Sequence, residues 1–109
     1  MISITFYKDN TDYYGIRLMN HADYAEEGED IVCAAVSALA INTFNSIETF
    51  TEVPFLEEVS TDNVTISFRL TGTPDFATNL LMKSLELGLQ DLKNNYSQYL
   101  SIDYDLEEV

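Results

Sequence analysis

Cys33 and His21 are the residues best able to carry out covalent chemistry in this chain, which has one cysteine and one histidine. The pattern after the acidic segment predicts a helix beginning at about Asp30, so Cys33 is expected in its first turn. There the positive end of the helix dipole stabilises a thiolate. With a turn between them, the imidazole of His21 can take the thiol proton and leave a nucleophile for carbonyl carbon. The first-turn amides are candidates for part of an oxyanion hole.

The same two residues have plainer interpretations. A cysteine in a helix rich in alanine and valine is usually a small buried hydrophobic residue, and a histidine near a strand end is usually a surface or capping residue. A metal site made of His21, Cys33 and nearby carboxylates is disfavoured, because structural zinc sites need more Cys and His ligands and hard carboxylates combine poorly with thiolate. We predict no metal and no cofactor. The sequence contains no glycine-rich phosphate loop and no Cys-x-x-Cys pair.

The charge of the chain is strongly negative. Asp and Glu number 19 and Lys and Arg number 5, for a net charge of −14. Such a surface repels phosphate and argues against a nucleic-acid partner, whereas it attracts a basic protein. No Lys or Arg occurs from Leu18 to Phe68, and residues 23–30 contain five acids. This acidic loop is either simply solvated or a mobile flap that closes over a positively charged substrate.

The length of 109 residues fits one domain, spanning residues 1–109. One cysteine excludes an internal disulfide and fits a reducing compartment. No signal peptide is recognisable. The longest apolar-rich run, Ile31 to Ile41, has 11 residues, whereas a membrane-spanning helix needs about 20. These features predict a soluble cytoplasmic protein with no membrane contact.

Strands are predicted where apolar residues alternate. Residues 1–7 and 14–18 alternate around turn residues 8–12, which predicts a hairpin. A short strand is predicted over residues 55–60, a turn at 61–63, a strand over 64–70 and a last strand over 102–106. With two intervening helices, the order is β-β-α-β-β-α-β. We expect an α+β fold with a mainly antiparallel sheet packed against two helices.

The two helices are predicted from apolar residues at helical spacing. The first is expected from about Asp30 to Phe50, with Asp30 as its N-cap. Its apolar stripe consists of Val32, Val36, Leu39, Thr43, Phe44, Ile47 and Phe50. The second is expected to begin with Thr73 as N-cap and Pro74 in the first turn. Its stripe consists of Phe76, Leu80, Leu81, Leu85, Leu89, Leu92, Tyr96 and Leu100.

The segment from His21 to Ser37 resembles the signature of the ribosomal-processing cysteine proteases of Gram-positive bacteria, the Prp family. That signature runs Gly-His-Ala, a variable stretch, then Gly-x-Asp-Ile-Val-Cys-Ala-Ala-Val-Ser. The chain matches it at His21 and Ala22 and again from Gly28 onward, at the same spacing. It departs from the signature at Asn20, where the family usually has Gly. The length, acidity and element order of the chain agree with the family over essentially its whole length.

The resemblance implies a cysteine endopeptidase with Cys33 as nucleophile and His21 as general base. The implied substrate is the basic N-terminal extension of a large-subunit ribosomal protein, number twenty-seven of the bacterial series, cut after a Phe. The resemblance also implies a homodimer. The alternative is a non-enzymatic acidic dimer that binds a basic ribosomal partner, in which Cys33 is structural.

Five further residues belong to the predicted site. Asp30 either caps the helix, which we favour, or orients His21 as the third member of a triad. Ser37, one turn after Cys33, either bonds back to the Cys33 carbonyl, lines the site, or simply allows close packing. Gly28 is either a hinge of the loop or a turn residue. Asn20 and Ala22 flank His21 on the substrate path; the side chain of Asn20 either tolerates a positive φ that Gly would supply or intrudes on the substrate.

Overall fold

The strands predicted from alternation all form in the structure, a computed structural model that describes residues 1–20, 28–60 and 65–106. The described residues form five strands and two helices in the predicted order. They are β1 (Ile2–Lys8), β2 (Tyr13–Asn20), α1 (Glu29–Phe50), β3 (Phe55–Val59), β4 (Thr65–Leu70), α2 (Phe76–Asn95) and β5 (Leu100–Leu106). The turn predicted at 61–63, Val64 and most of the acidic loop lie outside the described residues.

The strands form one mixed sheet with the order β3-β4-β2-β1-β5. β1 and β2 form the predicted antiparallel hairpin, with Ile4 opposite Leu18. The pairs β2–β4 and β3–β4 are also antiparallel, whereas β5 runs parallel to β1. A parallel neighbour requires a long crossover, which α2 supplies between β4 and β5. The prediction of a mainly antiparallel α+β sheet with two helices is confirmed.

The period of two in the strands decides which face of the sheet carries the helices. In β1, Ile2, Ile4 and Phe6 are buried while the residues between them are partly exposed. The buried residues of both helices join these side chains in one hydrophobic cluster. Within it, the rings of Phe44 on α1 and Phe68 on β4 stack with centroids 4.4 Å apart. This packing holds α1 against the sheet and with it the position of Cys33.

Helix α1 matches its predicted length, but the predicted stripe is wrong at its end. Phe50 is 75% exposed, whereas Ala40 is fully buried. Phe50 is the last helical residue, where the helix has already passed the edge of the core. By length and composition alone α1 is apolar enough to cross a membrane; core helices pass the same test, and Val32, Val36 and other residues of this helix pack in the core.

Helix α2 departs further from its prediction. Its buried residues are Thr78, Met82, Leu85 and Leu89, while Phe76 and Leu80 are exposed and Leu100 belongs to β5. The N-cap is Asp75, not Thr73. The Asp75 carboxylate accepts from the backbone N–H of Thr78, and the Thr78 hydroxyl accepts from the backbone N–H of Asp75. This reciprocal capping box satisfies two amides that the first turn leaves free, so the helix begins after Asp75.

Candidate active site

Cys33 lies on α1 where the helix crosses the end of strand β2. It is a free cysteine of intermediate exposure, packed against the edge of the hydrophobic core. It is the fifth residue of α1, which begins at Glu29, so the prediction of a place in the first turn is wrong: Cys33 lies two residues further into the helix, in its second turn. The side chain is neither fully buried nor freely exposed, and it opens into a cleft.

The cleft beside Cys33 has a volume of about 370 Å³, open solvent at its mouth included. It lies between the first turns of α1 and the ends of three strands. Its described lining residues are mainly apolar and none is charged: Ile2, Leu18, Met19, Asn20, Cys33, Val36, Ser37 and Ile66. Two predicted site residues, Asn20 and Ser37, therefore share one cleft with Cys33. For Ser37, the lining position agrees with one of its predicted roles.

Asn20 makes the contact that the sequence did not predict. Its side-chain Nδ2 donates a hydrogen bond to Cys33 Sγ over 3.6 Å, within the range for a sulfur acceptor. The backbone of Asn20 is the end of strand β2, paired with Ile2 of β1. A signal for this contact exists in the sequence, because Asn20 continues the alternation of Ile16 and Leu18 and so faces the helices.

The start of α1 differs from the prediction at Asp30. The N-cap is Gly28, at φ 94° and ψ −14°, with no side-chain hydrogen bond to the first turn. Asp30 is the second helical residue and is exposed, so it does not cap the helix. Glycine reaches this left-handed conformation without steric cost, which makes Gly28 the turn residue that ends the loop. The carboxylate of Asp30 still interacts favourably with the positive end of the helix dipole.

Glu29 is a site neighbour that sequence reasoning missed. It is 5% exposed, and its carboxylate lies 2.8 Å from the amino group of Met1. The signal for it was its spacing, four residues before Cys33 and therefore on the same helix face. Because this carboxylate is paired with the amino group of Met1, the pair supplies no net positive charge to a thiolate one turn away.

His21 and Ala22 lie outside the described residues, as do most of the acidic loop and its Tyr24. The prediction that His21 reaches Cys33 stays a prediction, and so does the alternative role of Asp30 as its orienting group. Within residues 1–20, 28–60 and 65–106, no group of three or more His, Cys, Asp or Glu side chains is arranged to hold a metal ion.

The fold and this cleft together define an α+β protein that holds a half-buried thiol in the wall of an apolar cleft, an arrangement compatible with the cysteine proteases. The chain belongs to the cysteine protease Prp family, whose model matches residues 1–101. The resemblance in the sequence is thereby confirmed, and the chain is a cysteine protease of that family.

Individual relatives agree with this assignment. The ribosomal processing cysteine protease Prp of Staphylococcus aureus is 26% identical over 84 residues, 77% of this chain and 79% of the relative. The crystal structure of the S. aureus protease in complex with a substrate peptide superposes with a TM-score of 0.88, at 22% identity, over 96% of this chain and 100% of that one. SMU.848 from Streptococcus mutans superposes with a TM-score of 0.85, at 27% identity, over 98% and 96% of the two chains.

Proposed function

We propose that this protease removes the basic N-terminal extension of a large-subunit ribosomal protein, number twenty-seven of the bacterial series, by cutting after a Phe. The observation that carries the proposal is the half-buried thiol of Cys33 in the wall of an apolar cleft. The relative in S. aureus is named for ribosomal processing. The apolar wall at Leu18, Val36 and Ile66 agrees with an apolar residue beside the scissile bond.

In the proposed reaction, His21 takes the proton of Cys33 and the thiolate attacks the scissile carbonyl carbon. The intermediate collapses as His21 passes the proton to the leaving amine, which breaks the peptide bond. Water then hydrolyses the thioester, giving a free carboxylate and the resting thiol.

The proposal also includes the surroundings of the enzyme. The chain acts as one domain over residues 1–109, in the cytoplasm, as a homodimer. Light scattering, which measures the mass of the protein in solution, checks the dimer.

The test is cleavage of a synthetic peptide carrying the extension from the organism's own ribosomal protein, followed by mass spectrometry. Wild-type protein should give one cut after the Phe. Cys33→Ala should lower kcat by at least about 1000-fold, because nucleophilic catalysis is lost as a unit, and His21→Ala should do the same. Asn45→Ala, on the exposed face of α1, serves as the matched control and should cleave normally.

Two outcomes would contradict the proposal. Cleavage that survives in Cys33→Ala would exclude Cys33 as the nucleophile. Binding of the peptide without any cut by wild-type protein would favour a non-enzymatic acidic module. A peptide with Ala in place of the Phe tests the specificity separately, and its cleavage at the wild-type rate would exclude the apolar cleft as the pocket for that residue.

A further inference from the structure

We propose that the carboxamide of Asn20 is a catalytic hydrogen-bond donor, which stabilises negative charge first on Cys33 Sγ and then on the oxyanion of the tetrahedral intermediate. The inference rests on Cys33 being the nucleophile of the proposed function. In this role Asn20 assists the reaction, whereas one interpretation of the sequence was that its side chain obstructs the substrate path.

The first argument is the contact itself. Asn20 Nδ2 lies 3.6 Å from Cys33 Sγ, and both side chains line the same cleft. The carboxamide is an uncharged donor with two N–H groups. One N–H can donate a hydrogen bond to the sulfur while the second stays available for another acceptor. After attack, the carbonyl oxygen is separated from Sγ by two bonds and comes within reach of the same nitrogen.

The second argument is that the backbone amide of Cys33 is already used. Because α1 begins at Glu29, Cys33 lies beyond the first four amides, and its N–H bonds within the helix. The structure shows this pattern one residue earlier, where the N–H of Val32 donates to the carbonyl of Gly28. The nucleophile's own amide therefore does not supply the oxyanion donor, and a side-chain donor takes its place.

The third argument is electrostatic. Glu29 lies one turn before Cys33 on the same helix face, and its buried carboxylate is paired with the amino group of Met1, so this ion pair supplies no net positive charge to stabilise a thiolate. None of the described residues lining the cleft is charged. In this setting a fixed dipole is effective, because it costs no reorganisation when charge develops. The pairing of Asn20 with Ile2 in the sheet holds the backbone of this donor in place.

The experiment compares wild type with Asn20→Ala, Asn20→Asp and Asn45→Ala in two assays. The first is the rate at which iodoacetamide alkylates Cys33 at neutral pH, which reports thiolate without any substrate. The second is kcat and KM on the extension peptide. Asn20→Asp keeps the shape of the side chain and replaces its donor by an acceptor, so it separates donation from packing. Thermal unfolding of each variant shows whether the fold is kept.

We expect Asn20→Ala to slow alkylation on the order of tenfold, the loss of a hydrogen bond to a charged group. We expect kcat to fall on the order of 100-fold, as when one oxyanion donor is removed, with KM changed less than about twofold. Asn20→Asp should be at least as impaired in both assays, and Asn45→Ala should match wild type.

Folded Asn20→Ala and Asn20→Asp proteins that alkylate and cleave at wild-type rates would overturn the proposal. So would recovery of wild-type kcat by Asn20→Asp, because that would assign Asn20 a packing role. If wild type does not cut the peptide at all, the proposed function fails, whereas the alkylation rates still decide whether Asn20 stabilises the thiolate.

Discussion

Tyr13 links the sheet to helix α2 through a partly buried hydrogen bond at the end of strand β2 away from Cys33. It is 3% exposed, and its hydroxyl donates to Glu86 Oε1 over 2.6 Å. Burial, and then the hydrogen bond and charge of Glu86, hold the pKa of the Tyr13 hydroxyl far above its usual range. The folded protein therefore favours the neutral phenol more strongly than the unfolded chain does.

This linkage predicts an alkaline limit to stability. In the unfolded chain the Tyr13 hydroxyl loses its proton near pH 10, whereas in the folded protein the hydroxyl stays protonated. The free energy of unfolding should therefore fall as pH rises above about 10. Tyr13→Phe should cost about 1 kcal/mol at pH 7 through the lost hydrogen bond, and that deficit should shrink above pH 10. Urea unfolding at several pH values measures both. Tyr96→Phe, at an exposed ring, is the control, and a deficit of Tyr13→Phe that stays constant with pH would contradict the prediction.

At the residue scale, Cys33 could be singled out as a candidate from its type and spacing, but its surroundings could not be predicted. The cap at Gly28 instead of Asp30 moves Cys33 two residues further into the helix, from the first turn to the second. A side chain such as Asp30 that is able to cap competes with a glycine that fits the left-handed turn, and the pattern of residues does not say which prevails. The contact between Asn20 and Cys33 depends on how far β2 extends, which alternation defines poorly at a strand end.

The start of helix α2 provides a prediction at the scale of an element. The capping box of Asp75 and Thr78 satisfies backbone amides that Thr73 does not reach. Asp75→Ala should lower the free energy of unfolding by about 1 kcal/mol, whereas Thr73→Ala should leave it within about 0.5 kcal/mol of wild type. Chemical denaturation of the two variants side by side makes the comparison. A larger loss from Thr73→Ala than from Asp75→Ala would contradict the observed helix start.

The strands were more predictable than the helices for a physical reason. A period of two assigns each residue to one of two faces, and in β1 and β4 the apolar residues occupy one face. Helix α2 carries apolar residues on both its inner face, at Leu85 and Leu89, and its exposed face, at Phe76 and Leu80. Helical spacing alone fits either set, and the packing of the whole sheet against Met82 and Leu85 decides between them.

At the scale of the whole molecule, the distribution of charge sets the surroundings of the cleft. The chain has 5 basic residues, and none of them belongs to the described lining of the cleft. Two of the five, Arg17 and Arg69, lie on strands at exposed positions. Arg69 lies over the ring of Tyr7, 5.5 Å from its centroid. The buried face of the sheet carries the helices, so these two arginines project from the opposite face. A basic peptide of the proposed kind would therefore approach a cleft whose described lining is uncharged, on a molecule of net charge −14.

This arrangement predicts that salt weakens capture of the substrate and leaves the chemistry unchanged. Raising ionic strength from about 0.01 M to about 1 M shortens the Debye length from about 30 Å to about 3 Å, which screens the acidic surface from a basic extension. We expect kcat/KM to fall on the order of tenfold over that range, with kcat nearly constant. Initial rates over a salt series measure both constants. A peptide whose Lys and Arg residues are replaced by Gln is the matched control. Equal salt dependence for the two peptides would show that the charge of the molecule does not guide its substrate, because the control peptide carries no cations for the acidic surface to attract.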